Sequence, residues 1–159
     1  MNHTSSSVPH SQLPEFARGV LEQIAIRNTN PKQTAFVVAL SGNLGAGKTT
    51  CMQALAKELG VQEVVQSPTY VLMKSYPIAF QNFTKLIHID AYRLDEPEQF
   101  ASLKPEEFLH DPKNLVCIEW PERLEGVLPK PDLTLNFSSE PPAGETRSVG
   151  DDSRYIEVV

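Results

Sequence analysis

Eight consecutive residues, Gly42-Asn43-Leu44-Gly45-Ala46-Gly47-Lys48-Thr49, match the phosphate-binding pattern G-x-x-x-x-G-K-[ST] at every specified position. Glycines at these spacings let a loop curl so that successive backbone N–H groups point inward at phosphate oxygens. A helix starting near Lys48 would add the positive end of its dipole. The lysine would neutralise the outer phosphates, and the Thr49 hydroxyl is the group that such loops give to Mg2+. The chemistry implied is binding of a nucleoside triphosphate with its magnesium ion.

A phosphate loop acts only with carboxylates at the ends of neighbouring strands, where they hold metal and orient water. Two segments fit. Leu115-Val116-Cys117-Ile118-Glu119 is an apolar run ending in an acid, and Leu86-Ile87-His88-Ile89-Asp90 has the same form apart from His88. Glu119 and Asp90 are therefore the candidate catalytic acids, with Lys48 as the third member of that set. His88 alternates into a strand and reads as a core residue or as a support for the site rather than a catalytic group. Ser67-Pro68-Thr69-Tyr70 offers hydroxyls that could sense the terminal phosphate, or simply a turn set by Pro68. Trp120, the one tryptophan, follows Glu119 directly; core packing and a nucleotide or partner contact both remain open for it.

These residues need elements to carry them. Phe16, Val20, Leu21 and Ile24 recur at helical spacing and predict a helix from Leu13 to Arg27. Thr34 to Leu40 reads as a strand buried on both faces, leading into the loop. A helix from Lys48 to Leu59 should follow, closed by Gly60. Val71 to Tyr76 and Lys85 to Asp90 read as strands joined by an irregular loop. Glu96 to Asp111 reads as one or two short helices interrupted by Pro105. Leu115 to Glu119 is a further strand, and Leu133 to Phe137 with Arg154 to Val159 suggests a late antiparallel hairpin. The expected class is α/β: a three-layer sandwich of the P-loop NTPase type around a mixed, partly antiparallel sheet. Residues 1–12, rich in serine, read as a flexible polar tail with His3 and His10 solvated; 13–159 read as one domain.

Composition narrows the partners. The chain has 159 residues, 14 Lys and Arg against 20 Asp and Glu, and a net charge of −6. No cluster of basic residues would neutralise a nucleic-acid backbone, so independent nucleic-acid binding is not expected. No apolar run approaches the ~18 residues of a membrane span, and the first residues lack the features of a secretory signal. Two cysteines, Cys51 and Cys117, read as reduced packing residues of a cytoplasmic protein.

The order S-G-N-L-G-A-G-K-T-T, S-P-T-Y-V-L, H-I-D-A-Y-R-L, C-I-E-W-P-E strongly resembles the bacterial TsaE (YjeE) family, from about Ser11 to the C-terminus. The three later motifs are far more specific than the loop. That resemblance implies a small ATPase of tRNA threonylcarbamoyladenosine (t6A) biosynthesis. It would act on a complex of TsaB and TsaD homologues, where TsaD modifies A37 of tRNAs reading ANN codons, and would meet tRNA only through that complex. It implies weak ATP hydrolysis by the chain alone. By matching position it implies Thr49 and Glu119 as Mg2+ ligands and Asp90 as a second essential acid. Asn43, Leu44, Gly45, Ala46, Gly47, Lys48 and Thr49 would form the ATP cradle, with Thr50, Thr69 and Trp120 near the nucleotide. Asn43 stands where aspartate is common, and residues 96–112 lack the glycine expected before the E-W motif. Rival readings are a small P-loop kinase, which would need a lid with paired arginines, and a nucleotide-gated binding module. Only Arg93 and Arg123 lie near the motifs, and neither is convincingly placed as an arginine finger. A GTPase is disfavoured by the lack of an N-K-x-D segment.

Overall fold

In a computed structural model, which describes residues 4–65 and 73–159, seven strands form one sheet in the order β1-β7-β6-β2-β5-β4-β3. The strands are β1 (Thr4–Val8), β2 (Phe36–Gly42), β3 (Met73–Phe80), β4 (Phe83–Asp90), β5 (Asn114–Glu119), β6 (Leu133–Ser138) and β7 (Arg154–Val158). β6, β2, β5 and β4 run parallel at the centre, while β7, β1 and β3 are antiparallel to their neighbours. The mixed sheet expected from the sequence is present.

Burial explains why the centre is parallel. All six residues of β5 and the first five of β2 are buried, as strands covered on both faces must be. On one face, Phe36, Val38, Leu40, Leu86, Leu115 and Cys117 pack beneath two helices, α1 (Leu13–Arg27) and α2 (Lys48–Glu58). On the other, Val37, Ile87, Ile89, Val116 and Ile118 meet Phe100, Phe108 and Leu124. Those three aromatic and aliphatic anchors come from short helical pieces: a 3-10 turn over Pro97–Leu103, α3 (Pro105–Leu109) and a second 3-10 turn over Pro121–Leu124. The result is three layers with the sheet in the middle.

Helix α1 begins and ends where the apolar spacing places it. Helix α2 ends in a Schellman cap, in which the Gly60 N–H donates to Lys57 and the Val61 N–H to Ala56. Two elements differ from expectation. Residues 4–8 are not a free tail: β1 pairs with β7 from Thr4↔Val158 to Val8↔Arg154, and Val8 is buried. Four polar residues hide this strand from hydropathy, because an edge strand is held by its backbone ladder rather than by its side chains. Residues 4–8 therefore belong to the sheet rather than to a tail, and the His10 N–H reaches Asp152 at 3.4 Å. Likewise β3 and β4 are joined tightly through Gln81 and Asn82, not by an irregular loop. Pro77 is tolerated within the strand because β3 lies at the sheet edge, and the register shifts between Pro77 and Phe80.

Candidate functional site

Parallel pairing puts the carboxyl ends of β2, β4 and β5 side by side. In register, Leu40 faces Glu119 across β2–β5, and Glu119 faces Asp90 across β5–β4. The loop that leaves β2 therefore starts beside both acids. Gly42 turns the chain with φ 145, and a Cβ there would meet the Phe137 carbonyl oxygen at 2.5 Å; no other residue fits. Gly47, at φ 102, opens α2 in left-handed backbone with the Arg154 side chain packed against it, where a Cβ would lie 3.1 Å from Arg154 Cγ. The start of α2, an eleven-residue helix with no side-chain cap, presents free N–H groups to the space between.

Lys48 is buried, and its Nζ donates back to the carbonyl of Gly42 at 2.5 Å and of Asn43 at 2.9 Å. Burial pulls its pKa below the ordinary lysine value, opposed by the nearby charges of Glu119, Glu122 and Asp90. Thr49 Oγ1 donates to Glu119 Oε1 at 2.8 Å. The other Glu119 oxygen, Oε2, lies 2.6 Å from His88 Nε2, and both side chains are almost fully enclosed. Asp90 sits at the cleft with Oδ1 accepting from the Tyr92 N–H at 3.0 Å.

Trp120 occupies left-handed backbone, φ 61 and ψ 52, which is uncommon for a bulky residue and concentrates at functional sites. Its N–H is held by the Leu40 carbonyl at 3.2 Å. The indole lies 4.1 Å from Lys48 Nζ, measured to the ring centroid, and 5.0 Å from the Tyr92 ring. It also packs on the second core cluster, which is the core reading of Trp120, while its place on the cleft wall leaves a nucleotide contact as a proposal.

The cleft has a volume of ≈ 290 Å³. Of the residues expected from sequence, Leu44, Gly45, Gly47, Lys48, Thr49, Thr50, Asp90, Glu119 and Trp120 line it. Asn43 contributes its carbonyl to Lys48, and Ala46 is buried in the core below. Thr69 and the Ser67–Tyr70 motif lie outside the described residues. Tyr92 and Arg154 also line the cleft and were not singled out from the sequence; Arg93, weighed there together with Arg123, joins them, whereas Arg123 does not line the cleft. Arg154 was hidden because it is 105 residues beyond Thr49 in sequence. A signal existed: it opens β7, which runs antiparallel to β6 and so starts at the edge where the loop sits. A smaller cavity of ≈ 110 Å³ shares Gly47, Thr50 and Arg154 with the cleft and is bounded by Val8, Leu13, Phe137 and Ile156.

The family described as Threonylcarbamoyl adenosine biosynthesis protein TsaE matches residues 12–149. The chain belongs to the TsaE family. It is 34% identical over 127 residues to the TsaE protein of Haemophilus influenzae, covering 80% of this chain and 72% of that one. It is 30% identical over 149 residues to the TsaE protein of Bacillus subtilis, covering 86% and 85%. The crystal structure of Bacillus subtilis YdiB superposes with a TM-score of 0.66 over 99% of this chain and 86% of that one, at 24% identity, a likeness of fold. TsaE membership places the chain in t6A biosynthesis, within a P-loop ATPase family and among proteins of tRNA modification. Among the described residues, no helix is long and apolar enough to cross a membrane.

Proposed function

We propose that this chain is the ATP-hydrolysing member of a t6A-forming assembly, working on a complex of TsaB and TsaD homologues in the cytoplasm. The observation that carries this reading is the convergence of Lys48, Thr49, Glu119 and Asp90 on one cleft at the N-terminus of α2. In this reading the backbone from Asn43 to Thr49 cradles the phosphates, and Lys48 exchanges its two carbonyl partners for phosphate oxygens. Arg154 lies against the loop beside the smaller cavity, whose wall joins Val8, Leu13, Phe137 and Ile156 to the polar His10 and Asp152, a suitable seat for the base.

The donor set fits magnesium. Thr49 and Glu119 offer hard oxygen donors within hydrogen-bond distance of each other, and Mg2+ characteristically takes one or two protein oxygens, leaving the rest to phosphates and water. When bound there, the ion would offset the negative charge that develops on the phosphates. Asp90 stands beside Glu119 on the next strand, placed to hold and orient a water. Leu44 and Tyr92, large apolar residues exposed at the rim, are the surface that a closing partner would cover.

Two arginines, Arg93 and Arg154, line the cleft, with Arg154 in the place that the sequence had offered to Arg123. Arg154 is engaged by the loop and by the Asp152 carbonyl at 3.2 Å. The net charge of −6 leaves tRNA contact to the partners. Co-purification with TsaB and TsaD homologues, with and without ATP and Mg2+, tests the assignment. Nucleotide-dependent retention is expected; no association under any nucleotide condition would refute it.

A further inference from the structure

We propose that His88 is a positioning residue for Glu119, fixing which carboxylate oxygen faces the metal site. The proposal rests on the Mg2+–nucleotide reading of the cleft. β4 and β5 pair so that His88 faces Cys117 and Asp90 faces Glu119. His88 therefore stands one row deeper than Glu119, on the sheet face that packs under α2, and is fully enclosed. From there its Nε2 lies 2.6 Å from Oε2, and since an ionised carboxylate only accepts, the imidazole is the donor, while Oε1 is left for Thr49 at 2.8 Å.

The two oxygens of Glu119 thus have different duties. One is tied into the core and the other is directed at the cleft. A glutamate side chain has three rotatable bonds, and only a fixed partner on the inner oxygen holds the outer one in a single direction. Core packing does not account for a histidine here. Its row and the row below are filled by Val38, Cys117, Leu86 and Leu115, and an apolar side chain would suit them better. Moreover, His88 Nδ1 has no hydrogen-bond partner among the described residues, a cost that an apolar residue would avoid. The bond to Glu119 is what the imidazole contributes. Asp90 and Lys48 lie on the cleft side of this pair and do not replace it.

The test compares His88→Gln, His88→Asn and His88→Leu in the full chain, with unfolding temperatures recorded for each. Glutamine places an amide nitrogen at about the reach of Nε2; asparagine has the same chemistry one carbon short. ATP affinity is measured by calorimetry in EDTA and across a Mg2+ series. Loss of such a supporting bond typically weakens metal affinity by about 10–100-fold. The Asn and Leu variants should show that loss with unchanged affinity in EDTA, and the Gln variant should recover most of it. Folded Asn and Leu variants with native Mg2+ dependence would overturn the proposal.

Should those variants not fold, the native chain carries the test. Adding Mg2+ to the ADP-bound protein should shift the His88 imidazole nitrogen resonances, and Glu119→Gln should abolish the shift. An unmoved signal at saturating Mg2+ would also overturn it. A native chain with no Mg2+-dependent nucleotide binding at all would instead bring down the metal-site reading itself, a failure visible without any variant.

Discussion

Thr49 and Glu119, 70 positions apart in sequence, meet through a 2.8 Å hydrogen bond from the Thr49 hydroxyl to Oε1. One residue stands in the first turn of α2 and the other ends β5. Because β5 runs parallel to β2, the strand that feeds the loop, the same sheet register sets both ends of this contact. Site and fold are joined at that point.

Replacing Glu119 by Gln should keep the fold and nucleotide binding but slow hydrolysis by roughly 100-fold or more, since an amide oxygen holds Mg2+ far less well than a carboxylate. Asp90→Asn should behave similarly. Single-turnover phosphate release in the presence of partners checks this; native rates in both variants would show that these acids have other work.

Lys48→Ala should weaken ATP binding by about 100-fold, or ~2.7 kcal/mol, from loss of charge-assisted bonds to phosphate. The fold should survive, because Nζ bonds only to loop carbonyls at the cleft. Calorimetry decides, and near-native affinity in a folded variant is the contrary result.

Trp120 should report occupancy. Its indole lies 4.1 Å from Lys48 Nζ, so drawing that ammonium onto a phosphate removes a cation from the ring face. Intrinsic fluorescence should change on adding ATP and Mg2+ and stay constant in Lys48→Ala. An unchanged spectrum at saturation would mean that Lys48 does not move.

The two cysteines should make the fold alkali-sensitive. Burial, with Glu119 adding to it, pushes the Cys51 thiol from 9.0 up to about 12, and burial also raises Cys117. Between pH 9 and about 12 the folded chain keeps these protons while the unfolded chain releases them. Stability is therefore unaffected below pH 9 and falls above it, by about 1.4 kcal/mol per pH unit for each thiol. Denaturant unfolding across that range should show a shallower fall in a Cys51→Ala/Cys117→Ala double variant. Equal slopes would mean that the thiols titrate normally in the folded chain.

Much of the architecture was legible because apolar spacing is strong where elements are fully covered. α1, the central strands and the late hairpin of β6 and β7 follow from it. The loop, both acids and their meeting place were legible because each acid ends an apolar run and parallel strands end at one edge. Edge strands were harder to read. β1 carries Ser5, Ser6 and Ser7, and β3 carries Pro77; backbone pairing holds both, and pairing leaves little mark on composition. Arg154 and Tyr92 reach the cleft through tertiary geometry, and the His88–Glu119 bond depends on a register between strands that a single sequence does not display.

In the proposed function, a partner complex completes an ATPase site built from Lys48, Thr49, Asp90 and Glu119. Phosphate release should be measured for the chain alone, with the TsaB–TsaD complex, and with that complex plus tRNA. Slow release alone and a clear rise with the complex are expected, since groups supplied in trans can add ~10³–10⁵ in rate. Vigorous turnover by the isolated chain, indifferent to the complex, would contradict it and point to a self-contained hydrolase or kinase.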